Sequence, residues 1–229
     1  MRQMNRRYIS IGGWCGTTIG LRGCDMYHES LPFDYVRSTM EGVIRTLESD
    51  FESFFPERIE MDTDIPGYIY NHYSIRGKYI GFFHHDIREE GVRETFKRRW
   101  DRMKEYMREE GREIYFLRTI VEEDFIKREI GWKDRFHELI QQKYGVQNYR
   151  LIYILPQQQE TKFYKRLDDK TDLYLLNDLN INYLHVDQGL LIEDYRRLWR
   201  EIDNPPIEEL KMNSKLYYIQ DVPMVKDDY

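Results

Sequence analysis

Short apolar runs alternate with helical stripes of apolar residues along most of the chain. The runs are typical of buried strands and lie at residues 7–12, 79–83, 113–118, 149–155 and 181–186. The clearest stripe repeats at i, i+4, i+7 and i+11, and its members are Phe96, Trp100, Met103 and Met107. The pattern therefore predicts strands separated by amphipathic helices.

Strand–helix–strand alternation favours right-handed crossovers and a parallel sheet. We therefore predict an α/β fold, a mostly parallel sheet flanked by helices in three Rossmann-like layers. The 229 residues suffice for one domain, which we place at 1–229. The stretch 204–229 is predicted to add one edge strand, at 215–219.

Three further helices have boundary signals in the sequence. Ser38 with Glu41 forms a capping box, and apolar positions at helical spacing then continue to Phe54, before Pro56. A second helix is predicted at 123–144, and the last one carries apolar residues between 192 and 202.

Parallel sheets bind ligands beyond the carboxyl ends of their strands. The residues predicted at those ends are 13–15, 84–86, 118–122, 156–157 and 187–188. Any active centre is expected among them.

Charge and composition exclude several classes of protein. The net charge is −6 and the two signs are mixed, so we expect no nucleic-acid partner. The basic run 97–99 is interpreted as a solvated helix face. No apolar stretch is long enough to span a membrane, and no signal peptide is evident at the start. Two cysteines give no disulfide framework, so we expect reduced thiols and a cytoplasmic location.

Cys15 is the most informative single position. It follows the Gly12-Gly13 turn after the first strand, near a predicted helix N-terminus where free amides and the helix dipole lower a thiol pKa. The same amides would suit an oxyanion hole. The alternative is a buried, inert thiol. Cys24 lacks this placement. No further ligands accompany the two cysteines at metal-site spacing, and dinucleotide, Walker A and zinc-protease motifs are missing, so neither metal nor cofactor is predicted.

A His-His-Asp step follows the second predicted strand. His84 or His85 would serve as a general base for Cys15, although alternation along a strand lets only one imidazole face the site. Asp86 or Asp34 would orient that imidazole. The alternatives are solvated loop histidines and a turn aspartate.

Four residues are predicted to bind substrate. Arg118, with Glu122 close by, would suit an anionic group, and the alternative is an ion pair that holds the loop. Gly13 and His84 complete the set, because both follow predicted strand ends.

Several segments resemble one known family. They are the Tyr8–Cys15 opening (YISIGGWC), Leu21-Arg22, the Ser30–Ser38 segment (SLPFDYVRS), Phe83–Asp86 (FHHD), and Phe96–Arg102 followed by Ile114–Arg118. Together they resemble the "putative papain-like cysteine peptidase" family, a domain of unknown function, over about residues 8–120. Tyr35 stands where that family usually has tryptophan. The resemblance implies Cys15 as nucleophile, His85 as base, and Asp34 or Asp86 as its orienting carboxylate.

Three functions follow as hypotheses. The first is a thiol-dependent hydrolase or acyl transferase acting on a peptide or small molecule. The second is a glycosyltransferase or surface-polysaccharide enzyme, in which Arg118 binds a nucleotide-sugar pyrophosphate and Cys15 only packs. The third is a non-catalytic binding module.

Overall fold

A computed structural model describes residues 5–57, 60–61, 75–76, 79–82, 84–120, 126–178 and 188–204. Its strands are β1 (Arg6–Ser10), β2 (Val36–Ser38), β3 (Glu60–Met61), β4 (Ile75–Arg76), β5 (Ile80–Phe82), β6 (Glu113–Thr119), β7 (Tyr149–Leu155), β8 (Lys162–Asp168) and β9 (Thr171–Leu175). Its helices are α1 (Gly16–Gly23), α2 (Met40–Glu48), α3 (Glu90–Met107), α4 (Ile126–Gly131), α5 (Lys133–Glu138) and α6 (Gln188–Asp203), with a π-helical turn at Leu139–Lys143.

The main sheet has five strands in the order β1-β6-β7-β9-β8. The pairs β1–β6, β6–β7 and β7–β9 are parallel, and only β8 runs antiparallel, against β9. The predicted α/β fold with a mostly parallel sheet is therefore confirmed.

Helices pack on both faces of this sheet because successive strand residues point to opposite sides. On one face Tyr8, Tyr115 and Leu117 pack with α1 and α6 residues such as Leu21 and Tyr195. On the other face neighbouring positions pack with α2, α3 and α5; the central members are Ile9, Phe116, Val43, Trp100 and Phe136. The predicted stripe on α3 is buried as expected. The result is the predicted three-layer arrangement.

A second, smaller sheet was not predicted. It has four strands in the order β2-β5-β4-β3, and all of its pairs are antiparallel. The prediction that the strand at 79–83 belongs to the parallel sheet is therefore wrong. Ile80 and Phe82 are buried, and such an apolar run predicts a strand without specifying its partner.

The capping prediction at Ser38 is also corrected. Ser38 belongs to β2, and Thr39 is the N-cap of α2, its side chain accepting a hydrogen bond from the Gly42 amide at 3.0 Å. The helix ends at Glu48, and a series of turns carries Phe51 and Phe54 into the core.

The remaining predictions differ in outcome. The hairpin of β8 and β9 was missed, because its burial lacks a strict alternation in β9, where all five residues are buried. The long helix at 123–144 is divided into α4, α5 and the π-helical turn, while α6 is confirmed. The predicted strand at 181–186 and the tail strand at 215–219 lie outside the described residues.

Candidate functional site

The turn after β1 depends on two glycines. Gly12 and Gly13 have φ values of 81° and 95°, in the left-handed region that favours glycine. A Cβ on Gly13 would lie 2.0 Å from the carbonyl oxygen of Thr119, at the end of β6. The Gly13 amide donates to Ser38 Oγ at 3.3 Å. This close approach places the next residues directly over the end of β6.

Cys15 is the N-cap residue of α1, at the carboxyl end of β1, as the sequence predicted. Its thiol is partly buried and interacts electrostatically with Arg37, Tyr35 and Tyr195. Burial raises the pKa of the Cys15 thiol to about 11, and a backbone hydrogen bond and the charge of Arg37 oppose this only in part. The expected lowering of this pKa by the helix end is therefore outweighed by desolvation.

A hydroxyl cluster lies beside Cys15 and ties α1 to β6 and α6. Thr17 Oγ1 is 2.6 Å from Thr119 Oγ1 and 3.3 Å from the phenol oxygen of Tyr195. Gly20 allows the Tyr195 ring to approach, because a Cβ there would lie 2.2 Å from it. Sequence reasoning missed Tyr195, which reads only as one apolar position of a helix.

Arg118 is buried in β6 and is held by the protein itself. Its Nε donates to Glu129 at 2.7 Å, and its Nη1 donates to Ser38 Oγ at 2.9 Å and to the Ile11 carbonyl at 3.2 Å. Its Nη2 donates to the Ser38 carbonyl. These contacts match the structural alternative, an ion pair, and extend it to a link between β1, β2 and β6. Glu122 lies outside the described residues.

Asp34 is buried and has three hydrogen-bond donors. They are Thr18 Oγ1 at 2.8 Å, the Tyr27 phenol at 3.0 Å and the Leu31 amide at 2.8 Å. Burial raises the pKa of Asp34, while these donors act in the opposite direction. Because Thr18 belongs to α1, this carboxyl group anchors the helix that Cys15 caps.

The two histidines after β5 have different surroundings, as alternation predicted. The His85 ring packs edge-on against Phe96, with ring centroids 5.0 Å apart, and its Nε2 is 3.4 Å from Arg99 Nη1. Burial, with the charge of Arg99 and then His84, lowers the pKa of His85 to about 4. His84 is exposed and lies edge-on to Tyr35 at 6.0 Å. Tyr35 thus stands between His84 and Cys15.

Asp86 binds an arginine. Its carboxylate accepts from Arg88 Nε at 2.8 Å, Arg88 Nη2 at 2.6 Å and the Arg88 amide at 3.1 Å. The side-chain hydrogen bonds from Arg88 lower the pKa of Asp86. Within the described part of the chain, neither Asp86 nor Asp34 hydrogen-bonds to an imidazole, so the predicted orienting contact is not formed.

The basic run at 97–99 is only partly a solvated face. Lys97 and Arg98 are exposed, but Arg99 is turned inward, with its Cζ 4.9 Å from the centre of the Phe96 ring. The spacing from the buried Phe96 carries this signal, since residues three apart share a helix face. Arg22 was likewise missed as a site residue; its Cζ lies 4.5 Å from the centre of the Tyr27 ring and 5.3 Å from that of Tyr35.

No group of three or more histidine, cysteine, aspartate or glutamate residues with metal-binding geometry occurs among the described residues. In the same part of the chain, no helix is both long and apolar enough to cross a bilayer.

Fold and site together define an α/β protein with a cysteine at the end of its first parallel strand. The family model described as "Putative papain-like cysteine peptidase (DUF1796)" matches residues 6–159, about two thirds of the chain, and the chain belongs to this family. The match extends well beyond the 8–120 covered by the motifs. Neither a curated protein nor a solved structure matches the chain.

Proposed function

We propose that the chain is a thiol-dependent hydrolase or acyl transferase with Cys15 as its nucleophile. The observation that carries the proposal is the placement of Cys15 as N-cap of α1, at the carboxyl end of β1. The family description supports the same chemistry. As predicted from the sequence, the substrate class is a peptide or a small acyl donor.

The thiol and its base are proposed to be neutral before substrate binds. Burial raises the pKa of Cys15 to about 11, so a preformed thiolate–imidazolium pair is disfavoured. Attack on a carbonyl carbon then transfers the thiol proton to an imidazole, which returns it to the leaving group. Water hydrolyses the thioester to a carboxylic acid, or another nucleophile accepts the acyl group.

The contacts favour His84 over the sequence-predicted His85 as this base. The Nε2 atom of His85 faces the Arg99 guanidinium, which donates protons and accepts none, so that nitrogen is engaged. His84 is exposed and lies against Tyr35, whose phenol interacts electrostatically with Cys15. His85 keeps its place in the proposal as the alternative base.

The first turn of α1 is proposed to receive the oxyanion. The amides of Gly16 and Thr17 belong to the first turn, which has no intrahelical acceptors. Amides at a helix start stabilise developing negative charge. Gly13, which the sequence predicted to bind substrate, is proposed to keep this turn close to β6.

Asp34 is proposed as a positioning residue. Its hydrogen bond from Thr18 holds α1, and hence the direction of Cys15, without touching a reacting atom. Asp86 is proposed to fix the loop after His85 through Arg88.

The glycosyltransferase hypothesis loses its main argument. It required Arg118 to bind a pyrophosphate, but the guanidinium is buried and engaged through all three nitrogens. We know of no described contact that favours this hypothesis or the binding module over acyl transfer.

Acyl transfer to Cys15 is directly measurable with p-nitrophenyl acetate as the probe. We expect one acetyl group on the protein, located on Cys15 by peptide mass spectrometry and removed by neutral hydroxylamine, as a thioester requires. Cys15→Ala should lose this adduct. Cys24→Ala is the matched control and should keep it.

Two results would overturn the proposal. One is an absence of hydroxylamine-labile acetylation on Cys15 in the folded wild-type protein. The other is equal acetylation of Cys15 and Cys24, which would indicate ordinary thiol reactivity.

A further inference from the structure

Two arginines near Cys15 lack an acidic partner. Arg22 donates to the Tyr27 phenol at 3.4 Å and stacks on Tyr27 and Tyr35. Arg99 contacts His85 and Phe96. Among the described residues, neither guanidinium forms an ion pair with a carboxylate. Arg102, one turn along α3 from Arg99, does so, with Glu29 at 3.3 Å.

These two charges belong to one neighbourhood. Arg99 interacts electrostatically with Arg22, Tyr27 and Asp34, so the two side chains approach each other despite their like charge. The Asp34 carboxyl group is the nearby acid, but it is buried and already receives three hydrogen bonds. The site thus holds an excess of positive charge.

Tyr35 connects this charge to the proposed nucleophile. Its ring lies 5.3 Å from Arg22 Cζ and 6.0 Å from the His84 ring, and its phenol interacts electrostatically with Cys15. Its φ of 58° is unusual for a side chain of this size, and the backbone holds it there between β2 and the preceding turn. The aromatic ring therefore separates a cationic side from the thiol side.

We propose that the substrate of Cys15 carries an oxyanion, a carboxylate or a phosphate, bound by Arg22 and Arg99. This inference rests on the proposed function and adds the substrate class. Guanidinium groups bind carboxylate and phosphate oxygens with paired hydrogen bonds, and the flanking Tyr27 and Tyr35 rings hold Arg22 in orientation. A bound oxyanion would also relieve the repulsion between the two arginines.

Iodoacetate and iodoacetamide form a matched pair of probes for this site. Each alkylates a thiolate and releases iodide, and they differ in a carboxylate against a neutral amide. Their rate ratio at Cys15 cancels the thiol pKa. It would be measured at alkaline pH in the Cys24→Ala protein, with 2-mercaptoethanol as the reference thiol.

We expect the iodoacetate-to-iodoacetamide ratio to be about tenfold higher at Cys15 than at 2-mercaptoethanol, the scale of one hydrogen bond to a charged group. Arg22→Gln and Arg99→Gln should each lower it, and Arg99→Lys should retain most of it. Arg98→Gln is the control on the exposed face of α3 and should leave it unchanged. Added sodium chloride should reduce the ratio by screening.

The two sources of the oxyanion are separated by competition. Inorganic phosphate and acetate are each added during alkylation by iodoacetamide, and the more protective anion at equal ionic strength identifies the preferred group. Protection should disappear in Arg99→Gln.

A Cys15 ratio equal to that of 2-mercaptoethanol would overturn the inference. So would ratios that Arg22→Gln and Arg99→Gln leave unchanged in variants with wild-type melting temperature. Alkylation needs no catalysis, so a failure of acetyl transfer with a high ratio would refute the proposed function alone.

Discussion

The ends of β1 and β5 both carry residues that chemistry singles out, yet they are built differently. β1 belongs to the parallel sheet, and its end is fixed by backbone packing of Gly13 against Thr119. β5 belongs to the small antiparallel sheet, and its end presents His84 and His85 through ring contacts with Tyr35 and Phe96. The difference teaches that this site lies between two sheets and not along one sheet edge.

Ser38 and Arg118 form the joint between the sheets. Ser38 in β2 accepts from Arg118 of β6 and from the Gly13 amide, while β2 also pairs with β5. Position of the β1 end relative to the β5 end therefore depends on one buried guanidinium and one hydroxyl.

Loss of Arg118 should break the joint with the largest effect. Arg118→Met leaves Glu129 buried and without its charge partner, and we expect a loss of about 3–5 kcal/mol in the free energy of unfolding. Urea denaturation measures it. The double variant Arg118→Met/Glu129→Gln should recover part of this loss, because it removes the unpaired charge. A single-variant cost of less than about 1 kcal/mol would show that the joint is not needed for stability.

Gly13→Ala tests the β1 end alone. A left-handed φ costs a residue with a Cβ about 1–2 kcal/mol, and the contact with the Thr119 carbonyl should add to that. Gly145→Ala is the matched control, since Gly145 also has a positive φ, 73°, but open space around its Cβ position. Equal losses of unfolding free energy in the two variants would contradict the close packing of this turn.

The β5 end should show a pH-dependent stability that His85→Gln removes. The folded-state pKa of His85 is lowered to about 4, from an ordinary value of 6.5, so the unfolded chain binds the proton more readily between these values. Relative to the variant, the wild type should lose stability as pH falls from 6.5 towards 4. Urea denaturation across this range measures the difference, and parallel pH profiles of the two proteins would refute the buried, neutral imidazole.

The sequence was sufficient for the layers and for the end of β1, because strand period, helix stripe and paired glycines are local signals. Cys15 could be predicted at a helix start for the same reason. The partner of β5 could not be predicted, since Ile80 and Phe82 read alike in either sheet. The roles of Arg118 and Asp34 depend on partners such as Glu129 and Thr18, which lie 11 and 16 residues away in sequence, so spacing alone left their alternatives open.

The central claim is that an imidazole from the β5 end serves the thiol at the β1 end. The most direct measurement is the rate of hydroxylamine-labile acetylation of Cys15 in His84→Gln and His85→Gln, with Cys24→Ala as the common background. The account predicts a fall of about 10²-fold or more in His84→Gln, the scale of general-base catalysis, and a smaller fall in His85→Gln. Wild-type acetylation rates in both folded variants would contradict it.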